Sequence, residues 1–277
     1  MTLAIGIDVG GTKTAAGLVD TATGTCEARL ERGTRPRREA SEVLADCVGM
    51  AQRLAAGQVG TPIGIGVCEL VDRDGRMRSA QTIDWRDTDV AGAFAAIGPA
   101  VVESDVRAAA TAEARFGGGR GVEHLLYVTV GTGISSCLVL AGRAYPGARG
   151  NAICFGAPPV EDAAGGLALV AAGRRERAEE VLADPALDHV VEAAAAALGA
   201  GLAWLVNALD PGVVVIGGGL GLVDRYRELA VAAMRPLIFA DDTRDVPVVA
   251  AQLGADAGVI GAALAAVGGG TPERPNR

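Results

Sequence analysis

Three glycine-rich turns and one carboxylate are the residues best placed by type and spacing to do chemistry. Asp8-Val9-Gly10-Gly11-Thr12-Lys13-Thr14 lies between two strand-like runs. Glycines there let backbone N–H groups approach phosphate oxygens, Thr12 can add a hydroxyl donor, and Lys13 can add a charge. Asp8, at the end of the first run, could hold a hydrated Mg²⁺. A plain hairpin turn would use the same residues. The second turn is Thr129-Val130-Gly131-Thr132-Gly133-Ile134-Ser135. The third is Val213–Gly221, where Gly217, Gly218 and Gly219 follow an apolar run and could pack against a flat ring. The chain has no GxxxxGK[ST], and no GxGxxG follows a strand and opens a helix, so P-loop and dinucleotide chemistry are disfavoured. Asp105, in Glu103-Ser104-Asp105-Val106-Arg107, falls at a strand-to-helix junction. A helix N-cap is the ordinary use of Asp there. At the mouth of a cleft the same carboxylate could take the proton of a hydroxyl attacking a γ-phosphoryl group. The two roles are compatible.

The elements that must position these residues follow from periodicity and turn signals. Strand-like runs are expected at 3–8, 13–20, 26–31, 63–67, 100–103, 125–130, 136–140, 213–216 and 246–251. Helical patterns cover 40–56, 106–116, 167–183, 188–209, 224–235 and 255–267. Strands cluster at the start of each half and helices follow, an α/β pattern in two similar lobes that would leave a cleft between them. No internal repeat shows in sequence identity; what recurs is a glycine hairpin turn near the start of each half.

Composition narrows the functional classes. The chain has 277 residues, half of them hydrophobic and only 3% aromatic, so Ala, Val, Leu and Ile must build the core. Its 40 glycines, about twice the usual share, point to tight turns and close backbone approaches. A net charge of −8 gives no electrostatic footprint for nucleic acid or an anionic membrane. Any bound anion must be gripped locally, and Lys13 is the only lysine among 25 cationic residues. Five scattered cysteines without a CxxC pair, and two isolated histidines, argue for reduced thiols and against a disulfide scaffold or zinc site. With strand-like residues beginning at Leu3, a soluble, cytoplasmic protein is expected, and the apolar run 193–209 reads as a buried helix.

Taken in order, DVGGTKT, ESDVRAAATAEARFG, VTVGTGIS, NALDPGVVVIGGG and LGADAGVIGAALAA resemble the ROK family of repressors, open reading frames and sugar kinases. The resemblance runs from Ile5 to about Val267. It implies an α/β fold of two ribonuclease-H-like lobes, of the actin and hexokinase superfamily, around a nucleotide cleft holding ATP and Mg²⁺. The lobes would be 1–107 plus 255–270 and 108–254, with 271–277 a disordered tail. Carried over, Asp8, Gly10, Gly11, Thr12 and Lys13 match the first phosphate motif, and Gly131, Thr132 and Gly133 the second. Gly217, Gly218 and Gly219 match the adenosine motif, Asp105 the catalytic base, and Asp8 the holder of Mg²⁺ through water.

The departures concern the sugar end. Ser104 stands where the family's hexose kinases have Asn, and the family's glutamate-x-glycine-histidine motif falls on Cys154, Phe155, Gly156 and Ala157. The zinc loop is deleted, leaving 158–166, and a further sugar-binding glutamate falls on Ala168. Cys68-Glu69 replaces a Pro-Gly, and Thr82-Ile83 an Asn-Leu. Hexose contacts are thus replaced while phosphoryl-transfer residues remain. That pattern implies a kinase acting on a polyhydroxylated, sugar-like small molecule, a carbocyclic cyclitol in preference to glucose. Glu69, Asp84, Ser104, Asp105, Asn151 and Cys154 are the candidate substrate contacts, with Arg107 a further one. The alternatives are a non-catalytic ligand sensor and a hexose or N-acylhexosamine kinase with a divergent, zinc-free pocket. The family resemblance favours a homodimer. The acidic charge, and the position of the first strand close to Met1, speak against a DNA-binding segment.

Overall fold

The computed structural model describes residues 2–155 and 159–268. Two five-stranded sheets form the two lobes. The first contains β1 (Leu3–Val9), β2 (Lys13–Asp20), β3 (Thr25–Gly33), β4 (Ile63–Val67) and β5 (Ala100–Ser104), in the order β3-β2-β1-β4-β5. Strands β1 to β3 are antiparallel, and β4 and β5 run parallel to β1. The second contains β6 (His124–Val130), β7 (Ile134–Leu140), a short β8 (Arg143–Ala144), β9 (Val213–Gly217) and β10 (Val248–Ala250), in the order β10-β9-β6-β7-β8. Read from the opposite edge, this is the same plan: an antiparallel meander followed by two parallel strands. The repeat that sequence identity conceals is therefore present in the topology.

Helices α1 (Ala40–Ala55), α2 (Asp105–Phe116) and α8 (Ala257–Ala266) serve the first sheet, and α2 also reaches the second. Alternation in β1 and β4 decides which helix lies on which face. Ile5, Ile7, Ile63 and Ile65 point toward α1 and pack with Val43, Cys47, Met50 and Leu54. Gly6 and Gly64 point the other way, where α8 lies against the bare backbone. A Cβ on Gly6 would stand 1.8 Å from Val259 O, and one on Gly64 1.7 Å from Ala262 O. On its far side α8 meets α2 equally closely, and a Cβ on Gly261 would stand 1.8 Å from Ala108 O. The expected boundary at residue 107 falls inside α2, which packs on α8 and also on β6 and β7.

The second lobe adds α3 (Val160–Ala164), α4 (Gly166–Gly173), α5 (Ala178–Ala183), α6 (Asp188–Leu209) and α7 (Asp224–Met234). The apolar α6 is long enough to cross a membrane by length and composition. Its buried face, including Val191, Leu198, Leu202 and Val206, instead packs into the core of this lobe with Tyr226, Ala230 and Met234 of α7. The single helix expected over 167–183 is two helices. Arg174 turns into the left-handed region (φ 52°), its N–H donating to Val170 O, and Gly173 packs where a Cβ would meet Val181 at 2.6 Å. The extended run expected over 246–251 pairs only at Val248–Ala250, and α3 and β8 were not expected. Gly156 and Ala157 of the altered sugar motif, and the expected tail 271–277, lie outside the described residues.

Candidate active site

Asp105 sits where the two lobes meet. Strand β5 ends at Ser104, the extended N-cap residue (φ −68°, ψ 136°), so Asp105 is the first helical residue of α2 and not its cap. Its Oδ1 accepts from the Val106 N–H at 2.7 Å. The carboxyl is pushed up to about 7, chiefly by burial and next by the negative charge of Asp8, with the Val106 N–H opposing the shift.

Two cavities share this carboxyl. One, of about 340 Å³, is lined by Asp8, Lys13, Asp105 and Thr129 together with Gly218, Gly219, Leu222 and the 254–258 turn. The other, of about 250 Å³, is lined by Cys68, Glu69, Ser79, Gln81, Ile134, Ser135, Ile153, Cys154, Glu161 and Asp162 as well as Asp105.

In the larger cleft, Asp8 near the end of β1 is pushed up to about 6 by burial, while Lys13 and Arg29 pull it back. It has room only because residue 258 is glycine, since a Cβ there would lie 2.5 Å from Asp8 Oδ2. Lys13, at the start of β2, pairs with Glu31 at 3.3 Å and is half-exposed. The first turn is closed by Gly10 N–H donating to Lys13 O at 3.0 Å. Thr34 fastens it: its Oγ1 donates to Gly10 O at 2.6 Å and its N–H to Thr12 O at 3.0 Å. The second turn is held by Gly131 N–H to Gly133 O (2.9 Å) and by the first N–H of α4, from Gly166 to Gly131 O (2.8 Å). A side chain on Gly131 of the second turn or Gly219 of the third would meet nothing within 4 Å, so these two positions face open space. Gly218 takes a positive φ of 80° and approaches Val130 so closely that a Cβ would lie 2.4 Å from its carbonyl oxygen. Of the residues expected to bind the cofactor, Asp8, Lys13, Gly218 and Gly219 line the cavity; Gly10, Gly11, Thr12, Thr132, Gly133 and Gly217 do not.

The cleft suits a nucleotide triphosphate with a divalent cation. Paired carboxyls, both raised by burial and Asp105 also by Asp8, share its lining with a small-residue cradle and Leu222. The cradle owes its position to Glu113 at the far end of α2. Its fully buried carboxylate accepts from Gly118 N–H (2.8 Å), Gln252 N–H (3.1 Å) and Leu253 N–H (2.8 Å). Sequence patterning gave no signal for the roles of Thr34 and Glu113, because their partners Gly10 and Leu253 are 24 and 140 residues away.

The expected substrate contacts divide. Cys154 and Asp105 line the smaller pocket, as does Glu69. The Glu69 carboxylate, however, is occupied in ordering the 79–83 loop. It accepts from Ser79 Oγ, from Gln81 N–H (3.0 Å), Thr82 N–H (2.6 Å) and Ile83 N–H (3.0 Å). Ser104 is fully buried and lines neither cavity. Asp84 is exposed and faces Arg86 through two bonds of 2.9 and 2.7 Å. Asn151 lines a separate cavity with Arg73 and Arg149. Arg107 is a fully buried tie between the lobes, donating to Glu103 Oε1 (2.6 Å), Gly150 O (2.6 Å) and Val71 O (2.8 Å).

Comparison with known proteins agrees with this architecture. The ROK family model matches residues 4–165 and 174–268. A glucokinase from Streptomyces coelicolor is 32% identical over 95% of this chain and 97% of its own length. The ROK hexokinase of Thermus thermophilus superposes with a TM-score of 0.78 at 33% identity, covering 95% of this chain and 97% of that one. The Streptomyces griseus ROK glucokinase, solved with glucose and AMPPNP, gives 0.77 at 28% identity over 94% and 98%. The paired sheets, the shared carboxyl and the family match lead to one conclusion: this chain belongs to the ROK family and has its two-lobed, hexokinase-like fold.

Proposed function

We propose that the protein is an ATP-dependent kinase that phosphorylates a hydroxyl of a sugar-like small molecule, and that the acceptor is a carbocyclic cyclitol. The observation that carries the transfer reading is that Asp105 lines both cavities, so one carboxylate can face the γ-phosphoryl group and the acceptor hydroxyl together. The Streptomyces griseus relative was solved with AMPPNP, which supports nucleotide use by this fold; the larger cleft, with Asp8, Lys13 and the glycines at 218 and 219, is the side that suits it.

A Mg²⁺ ion held through water by Asp8 would offset the charge of the β- and γ-phosphates. The chain's own residues supply the rest. Lys13 reaches the same end of the cleft, and the open glycine turns leave the nucleotide free of side-chain interference. Asp105, ionised, accepts the acceptor's hydroxyl proton as the oxygen bonds to the γ-phosphorus. The bond from that phosphorus to the β,γ-bridging oxygen breaks, and ADP leaves with the electron pair. The cyclitol reading rests on the apolar part of the pocket's lining. Leu70, Ile134, Ile153 and two thiols line it, and Glu69 has spent its acceptor capacity on the protein. A ring with a methylene in place of its oxygen meets such walls at less desolvation cost than a hexose does.

The test is MgATP-dependent ADP release against hexoses, N-acylhexosamines and cyclitols, with Asp105→Asn as control. A signal selective for cyclitols and lost in the variant is the expected result. A preference for glucose would remove the cyclitol reading, and full activity of Asp105→Asn would remove the assigned base.

A further inference from the structure

A third cavity, of about 430 Å³, lies on the seam between the lobes and shares no lining residue with the two pockets at Asp105. Two segments enclose it. Asp72, Arg73, Asp74 and Arg78 come from the hairpin that follows β4, and Arg149 and Asn151 from the loop that follows β8. The seam is tight here. Gly150 takes a positive φ of 90°, and a Cβ on it would stand 2.3 Å from Val71 O. Arg107 clamps the same place by donating to both Gly150 O and Val71 O.

The charges of this wall do not cancel one another. Asp72 is consumed by its own hairpin: Oδ1 accepts from Asp74 N–H (2.9 Å) and Arg76 N–H (3.0 Å), and Oδ2 from Arg78 Nε (2.7 Å). Arg73 and Arg149 form no ion pair among the described residues, where Arg78 has Asp72. The Nε of Arg73 is moreover buried, with no hydrogen-bond partner among the described residues. A buried N–H left without an acceptor is costly, and a bound oxyanion would supply the acceptor. The chain as a whole is acidic, at −8, so three guanidiniums around one cavity are a local concentration and not a sample of a basic surface.

Guanidinium forks from two loops, with the Asn151 amide as a further donor, match the several oxygens of a phosphate dianion. A carboxylate, with two oxygens in one plane, serves only one fork bidentately. At about 430 Å³ the cavity also has the size of a small-molecule site, with room for the organic part of an ester. We propose that the seam cavity is a second, non-catalytic binding site for a phosphate dianion carried by a small phosphate monoester, with Arg73, Arg149 and Asn151 as its donors. The site stands apart from the nucleotide and acceptor pockets, so its occupancy does not depend on phosphoryl transfer. Both of its segments run on into the acceptor wall: Arg78 is followed by Ser79 and Gln81, and Asn151 by Ile153 and Cys154. A ligand that holds the two segments across the seam therefore orders that wall as well.

The experiment saturates the full chain with Mg²⁺ and AMPPNP, to fill the nucleotide cleft, and titrates inorganic phosphate and glucose 6-phosphate by calorimetry. One saturable site is expected, tighter for the ester, and weakened at least about tenfold in Arg149→Gln and in Arg73→Gln. Arg149 is exposed and makes no ion pair among the described residues, so its replacement leaves the fold intact. Hydrogen–deuterium exchange should show the ester protecting 72–81 and 148–154 together in the parent chain and neither in Arg149→Gln. Free phosphate binding as tightly as the ester keeps the site but overturns the ester as its occupant. No saturable binding of either probe overturns the site. Binding that both variants leave unchanged places the anion elsewhere and overturns the assignment to these residues. Protection confined to one segment overturns the bridge across the seam.

Discussion

On one side of Asp105 much of the wall is glycine, Gly218, Gly219, Gly254 and Gly258, beside the charged side chains of Asp8 and Lys13. On the other side the wall is side chain: Cys68, Gln81, Ile134, Ile153, Cys154 and Glu161. Phosphates are the same in every nucleotide, so a scaffold of N–H groups with little side-chain variety suffices for them. An acceptor is distinguished by where its polar groups lie, and only side chains can read that. The cost of change therefore differs across a single carboxyl. Glycine is required at 218, where a Cβ would strike the Val130 backbone, and at 258, where it would strike the Asp8 carboxylate, while the acceptor wall can exchange residues of similar volume.

Four measurements would break or sharpen this contrast. The largest effect belongs to the shared residue. Asp105→Asn should lower kcat on the order of a thousandfold with KM for ATP nearly unchanged, measured by ADP release and by calorimetric ATP binding. A parallel rise in KM would show that the carboxyl serves binding more than proton transfer.

On the backbone side, Gly218→Ala forces a Cβ to 2.4 Å from Val130 O at a positive φ of 80°. KM for ATP should rise roughly thirtyfold, corresponding to about 2 kcal/mol, while acceptor KM moves less than about twofold. Equal changes in both would mean that the two walls are not independent.

On the side-chain side, Ser79→Ala removes the hydroxyl that donates to Glu69 and accepts from Leu70 N–H at 2.8 Å. Acceptor KM should rise about fivefold, the worth of about 1 kcal/mol, with ATP KM unaffected.

The smallest effect is a shift in pH dependence. Asp105, raised to about 7, must be ionised to accept a proton, so kcat/KM should climb through pH 7 and level off above it. Asp8→Asn removes the like charge but not the burial, which is the larger cause. The acid limb should therefore move down by less than about one pH unit, whatever the variant does to the plateau. A limb that stays in place would assign it to another group.

Much of the nucleotide side was legible in the sequence because its chemistry is local. A strand end, a glycine turn and a following strand are contiguous, and Asp8, Lys13, Gly218 and Gly219 all reach the cleft from such segments. The two-lobed α/β plan followed for the same reason, since hydrophobic period and turn residues are short-range signals. The acceptor side depends on contacts that no local pattern encodes. Asp84 and Asn151 are polar residues near the right loops, but Asp84 turns to its neighbour Arg86 and Asn151 opens into a different cavity. Glu69 arrives at the pocket with its oxygens already taken by a loop ten to fourteen residues further on. Thr34 and Glu113 act through partners 24 and about 140 residues away, so their roles appear only once the chain is folded. The break within 167–183 was missed because the left-handed turn at Arg174 is made by a residue with no special liking for it.

The seam along α8 has an evolutionary consequence. Gly6, Gly64 and Gly261 each face a carbonyl oxygen within 1.8 Å of where a methyl group would begin. Alanine is the smallest step available from glycine, and here that step is already too large, so no series of tolerable intermediates leads away from these positions. The frame holding Asp8 and Asp105 is locked against gradual drift, while the acceptor loops hang from it with room to vary. A lineage can explore new acceptors for as long as it leaves those three hydrogen atoms where they are.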